Sequence, residues 1–238
     1  MIFPDSIVDH IAQSAYWADR SIRSELARGI IAGEIDYSSN LTAAFRRQIN
    51  ARAILGLHAT SYLLKPSAER AVGADGCIVL SDTKEFKICL FEAKWPQLRT
   101  KRDCWDSLQR SSGVSHFHEQ LSRQSAISNL FAVWEMFYCE FPFDEQPPFM
   151  PSHVSSCVWH EHAYAASQAR PNRKTPWTDV ELSALLDKHG SRIDELIRKV
   201  CACEAGVAIR GNDYLRVFEE YQVPRELLVI EYAGPQQQ

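Results

Sequence analysis

The chain has 238 residues, enough for one large domain or a core domain with additions, and its 45% hydrophobic and 24% charged content is that of an ordinary globular protein. Its formal net charge of −4 excludes the broad positive field of a protein that coats nucleic acid avidly and without specificity. No apolar stretch approaches a membrane span, and Met1-Ile2-Phe3-Pro4-Asp5 lacks the charged-then-apolar pattern of a signal peptide, so no membrane partner is expected and the cytoplasm is the expected location.

In chain order, residues 6–33 predict a long amphipathic helix: Ser6 is a candidate N-cap, Ile7, Ile11, Ala15, Ala18, Ile22 and Leu26 keep helical spacing, and Gly33 is a plausible stop. A second helix is predicted from about Ser38 or Asn40 to Arg52, then a strand from His58 to Leu64. Two apolar runs rich in β-formers, 76–81 and 85–93, flank the turn Ser81-Asp82-Thr83-Lys84 and predict an antiparallel hairpin. After Pro96 the pattern predicts helices over 101–109 and 115–128, a buried strand over 130–138, and a proline-rich loop over 141–151. A strand over 154–164 and a polar loop over 165–177 follow. Thr178 starts a helix with Asp179 and Glu181 in its first turn, where acids suit the helix dipole. Helices over 191–204 and 213–221 and a last strand at 227–230 complete the order.

A helix between the hairpin and the next strand fits a crossover unit, and the whole order predicts an α/β fold. Residues 1–33 are expected to form an N-terminal helical extension and 34–238 the main domain. The sequence leaves open whether 150–238 complete that domain or form an appended subregion.

The chemistry concentrates on the hairpin. Asp75, in Gly73-Ala74-Asp75-Gly76, opens its first strand, and Glu92-Ala93-Lys94 closes the second, sixteen residues intervening. Residues two apart on a strand share a face, so Glu92 and Lys94 point one way and Ala93 the other. Charges beside a buried run are costly unless paired or bound to a metal. Two carboxylates and an ammonium at one spot are the minimum for metal-assisted phosphodiester hydrolysis, with oxygen ligands for a hard cation and a lysine to orient water.

Asp75, Glu92 and Lys94 in this setting resemble the PD-(D/E)xK phosphodiesterases, the restriction-endonuclease-like superfamily, over about residues 34–140. Ala74 stands where the family name has Pro, a position that varies in the superfamily. The resemblance implies a mixed sheet flanked by helices and a nuclease acting in restriction, antiviral defence or repair, endonuclease rather than exonuclease. It implies Mg²⁺ or Mn²⁺ held by Asp75, Glu92 and the Ala93 carbonyl, with DNA as substrate. It also implies an acid near the helix before the first core strand, for which Glu34 or Asp36 is the best match and Glu69 a competitor. A glutamine on the helix after Glu-x-Lys is a further family feature, matched by Gln120 or Gln124, four apart on one helical face.

Arg99, Lys101 and Arg102, directly after the Glu-x-Lys strand, are candidate substrate contacts, and Arg170 to Lys174 is a second basic stretch. The alternatives are a noncatalytic interaction subunit on the same fold and a different hydrolase using histidines. His116 and His118 on a helix splay by about 200°, poor geometry for one metal. His160 and His162 on a strand would share a face. The seven cysteines are scattered, without paired zinc spacing, and are expected to be reduced and structural. The six tryptophans are expected in the core. A protein partner or a homodimer remains open.

Overall fold

The computed structural model describes residues 1–63, 73–221 and 226–234. Two helices open the chain, α1 (Asp5–Ala27) and α2 (Glu34–Ala51), before strand β1 (Leu57–Leu63). The hairpin is β2 (Gly76–Asp82) and β3 (Glu85–Lys94), and α3 (His116–Gln124) leads to β4 (Ala132–Phe137) and β5 (Ser156–Trp159). Then come α4 (His160–Ala169), α5 (Asp179–His189), α6 (Ile193–Cys201), β6 (Ile209–Arg210), α7 (Tyr214–Tyr221) and β7 (Glu226–Tyr232).

The strands form one mixed seven-stranded sheet in the order β1-β7-β2-β3-β4-β5, with β6 paired to the first residues of β3. The hairpin β2–β3 is antiparallel, β3 and β4 are parallel across the α3 crossover, and β7 lies parallel to β2 and antiparallel to β1. The fold is therefore mixed α/β, a sheet flanked by helices.

Alternation along the strands gives the sheet two buried faces. One carries Ile78, Phe91, Ala93, Trp134 and Met136 and is covered by α1, α2 and α6. The other carries Val79, Ile88, Leu90 and Val133 beneath α7, and Phe137 and Val158 beneath α3, α4 and α5. Glu92 and Lys94 belong to this second face, between its two apolar clusters.

Four local expectations are corrected. The first helix starts at Asp5 with Pro4, not Ser6, at its boundary, and it stops at Gly29, which takes the left-handed φ of +71°; Gly33 is instead the N-cap of α2. No helix forms over 101–109, because Asp103 sits at φ +51° and exchanges backbone-to-carboxylate hydrogen bonds with Asp179 at 3.1 and 2.7 Å. The strand expected over 154–164 ends at Trp159, and His160 begins a helix through the alanine-rich 163–169, a composition that favours helix. Not every tryptophan is core, since Trp17 is 46% exposed. Residues 64–72, which include Glu69, lie outside the described residues.

Candidate active site

Three neighbouring strands place an acid side by side on the second face. Gly76 stands opposite Phe91 across the hairpin, so Asp75, one residue earlier, comes beside Glu92. Its backbone N–H donates to the Phe91 carbonyl at 2.8 Å, and its Oδ2 accepts from the Ala93 N–H at 2.9 Å, which fixes the carboxylate. On the other side of β3, Glu92 stands opposite Glu135 of β4. Opposed residues share a face, so Asp75, Glu92 and Glu135 form a row across β2, β3 and β4.

Lys94, two residues along β3, folds back on this row with Nζ 2.5 Å from Glu92 Oε1. The Gln120 side-chain amide, from α3, donates to the same oxygen. Glu34, in the first turn of α2, accepts from the Trp95 N–H at 2.9 Å and so caps the end of β3. Glu92, Lys94 and Glu135 are 2%, 6% and 0% exposed, and Asp75 and Glu34 are half-buried.

Three carboxylates, Glu92, Glu34 and Asp75, thus act on one lysine, with Glu135 opposite Glu92. Burial is the main cause that pushes Asp75 up to about 6 and Glu92 up to about 8, with Lys94 pulling both back and the neighbouring acids pushing further. For Lys94 burial works to lower the pKa, but Glu92, Glu34 and Asp75 outweigh it and hold the ammonium well above its ordinary range. Tyr138 is raised by burial and by Glu34, Asp75 and Glu92, which places its phenol at the edge of the same group. Its hydroxyl is buried without a hydrogen-bond partner, and its ring stacks on Tyr37 at 3.8 Å.

Beneath the row, Gln124 donates to the Gly73 carbonyl at 2.5 Å and to Glu135 Oε2 at 3.5 Å. His160 Nδ1 lies 2.9 Å from Gln124 Oε1 and 3.7 Å from Glu135 Oε1. Glu135 Oε1 and Gln120 Oε1 are buried and make no hydrogen bond. His160 and His162 therefore do not share a strand face: His160 supports Glu135, while His162 stacks on His189 at 4.1 Å.

No family model matches this chain, and no curated protein or solved structure is significantly similar to it. Among the described residues, no three or more His, Cys, Asp or Glu side chains stand close enough together to hold a metal ion as they are placed. What stands at the end of β3 is an all-oxygen donor set in which Lys94 and Gln120 hold one oxygen of Glu92. A ligand entering there would meet oxygen donors only, which suit a hard cation rather than a soft one.

Of the residues singled out from the sequence, Asp75, Glu92, Lys94, Gln120 and Glu34 come together, while Asp36 is exposed. Arg99, Lys101 and Arg102 are exposed on the segment after β3, where Arg99 pairs with Glu145 at 3.2 Å and Arg102 lies 3.9 Å from Asp103. That segment is tied by Glu140, which accepts from the Trp95 indole at 3.0 Å and the Arg99 N–H at 2.6 Å. Glu135 was missed, although a lone acid inside the apolar run 130–138 was its signal.

Proposed function

We propose that the chain is a divalent-metal-dependent nuclease of the restriction-endonuclease-like, PD-(D/E)xK type, hydrolysing phosphodiester bonds of DNA. The observation that carries this reading is the row of half-buried Asp75 and buried Glu92 and Glu135, with Lys94 folded onto it and His160 behind Glu135, three acids beside one lysine. Asp75, Glu92 and the Ala93 carbonyl would hold Mg²⁺ or Mn²⁺, with Glu34 at the rim. The cation would supply Lewis-acid polarisation of the phosphoryl oxygens and a lowered pKa for water.

Lys94 keeps its proton, so it acts as a donor and not as a base: it orients the attacking water and offsets charge on the in-line phosphorane. Gln120 holds Glu92 in its rotamer from the α3 side. The Ala93 N–H holds Asp75. The two acids are thereby positioned by backbone and amide, not by each other.

The test is cleavage of supercoiled and linear plasmid DNA with Mg²⁺, Mn²⁺ or EDTA, beside the Lys94→Ala protein. Metal-dependent cutting is expected, falling at least about 100-fold in the variant, the usual loss for a missing transition-state donor. Unchanged cutting by Lys94→Ala would remove the lysine from the mechanism. A binding-only module on the same sheet predicts no cutting and no Mn²⁺-induced rise in unfolding temperature.

A further inference from the structure

A second charged feature lies on the outer side of α1 and α2. The helices run antiparallel, His10 reaching the Ile49 carbonyl and Tyr37 reaching Asp19. Along them runs an open cavity of about 570 Å³ whose lining includes Trp17, Arg20, Arg28, Arg52 and Phe143, with Glu25 as its one acid. Three arginines against one glutamate make it locally positive on a chain of net charge −4.

The Arg20 guanidinium lies between two rings, 5.7 Å from Trp17 and 5.1 Å from Phe143. Among the described residues, neither Arg20 nor Arg28 makes a side-chain hydrogen bond or ion pair. Their donors are therefore free for an anion. Trp17 is half-exposed beside them, with Arg20 over its ring and Tyr16 edge-on at 5.3 Å. Unpaired arginine forks next to an exposed aromatic ring match phosphates spaced between bases that are free to stack.

The groove is also tied to the candidate active site. Phe143 follows Glu140, which grips Trp95 at the end of β3, and Arg23 of α1 donates to the Phe141 carbonyl at 3.0 Å. One short segment, 140–143, joins the groove to the strand end that carries Lys94.

We propose that this groove binds a single strand of nucleic acid, Trp17 stacking on a base while Arg20, Arg28 and Arg52 contact the backbone phosphates. A duplex keeps its base faces covered, so stacking on Trp17 requires an unpaired strand. An acidic peptide would use the arginines but not the indole. The inference rests on the nuclease reading for what the strand is bound for, and it adds the form of nucleic acid that the site receives.

The experiment is fluorescence anisotropy of a labelled oligothymidylate with the full chain in EDTA, so that no cleavage and no metal enters. Trp17→Ala is expected to weaken binding about tenfold, as loss of one stacked base does. Arg28→Ala and Arg52→Ala are each expected to weaken it and to lower the slope of log K against log salt by about 0.7 per lost phosphate contact. Arg216→Ala, an exposed arginine on α7, is the control and should change nothing.

Equal affinity for a duplex, or equal competition by polyglutamate, would overturn the proposal. So would binding of thymidine monophosphate as tight as that of the oligomer, which would make the groove a pocket for free nucleotide. No binding, or binding indifferent to Trp17→Ala, also overturns it. Because every arm is metal-free, these failures leave the Mn²⁺ and cleavage results for Lys94 standing.

Discussion

Glu135 is the acid that the parallel pairing of β3 and β4 sets against Glu92. It is fully buried, stands directly opposite Glu92, and leaves Oε1 without a hydrogen bond. Like charges opposed across strands are destabilising, so Glu135 and Glu92 repel in the absence of a cation. Glu135→Gln keeps the shape and removes one charge. In metal-free buffer near pH 8 it is expected to raise stability by up to about 1 kcal/mol, and to shrink the Mn²⁺-induced rise in unfolding temperature. A large loss of stability would mean that the contacts of Glu135 with Gln124 and His160 outweigh its repulsion with Glu92. The contrast with Lys94 shows what a sequence exposes at this scale. The Glu92–Lys94 pairing follows from the two-residue period of a strand and needed only β3 to be recognised. Glu135 reaches the site through a parallel register between strands separated by α3, and no local pattern encodes that register. Trp17 escaped for a similar reason: whether a tryptophan on an amphipathic helix faces the core or the rim depends on which neighbours cover it.

The hairpin β2–β3 is the element that sets the site, and one glycine shapes it. A Cβ on Gly76 would run into the ring of Phe91, its cross-strand partner. That ring in turn stacks on Trp134 of β4 at 5.9 Å. Phe91 thus fills the space that Gly76 leaves, directly behind the Asp75–Glu92 pair. Gly76→Ala is expected to cost about 1–3 kcal/mol, the range for overpacking a tight core, and to weaken Mn²⁺-induced stabilisation by shifting Asp75; chemical denaturation with and without Mn²⁺ measures both. A loss of stability with full metal response would show that Asp75 is held by its own hydrogen bonds alone. The hairpin was legible because its two apolar runs and polar turn are contiguous. So was α5, where Thr178 and Glu181 form a reciprocal capping box. The boundary at Trp159 was not: one strand was expected over 154–164, but after Val158-Trp159 the chain turns polar at His160-Glu161-His162, and the short β5 yields to helix where His160 packs beneath Glu135. The segment 101–109 has helical composition but is held open by Asp179, a partner 76 residues away.

At the scale of the whole molecule, the α/β class and the crossover between β3 and β4 could be read from element order, but the position of β7 could not. The last strand inserts between β1 and β2, pairing parallel with one and antiparallel with the other, a choice made by burial of both its faces. The sheet so closed buries the acids, and that burial has a consequence for the stability of the whole chain. Asp75 and Glu92 are pushed from 3.8 and 4.5 to about 6 and about 8. Between those limits the folded chain holds more protons than the unfolded chain, so stability falls as pH rises. Lys94 acts in the opposite region, its contribution being full below its ordinary value of 10.5 and lost only above it. The metal-free protein is therefore expected to unfold at lower temperature near pH 8 than near pH 5, after allowance for other groups by comparison with Glu92→Gln, which should flatten the profile. Mn²⁺ competes with protons for the same oxygens, so its stabilising effect should be larger near pH 8 than near pH 5. A metal-free profile that is flat, or identical in Glu92→Gln, would show that the row of acids ionises without penalty. The charge imbalance would then lose its force as an argument for a cation.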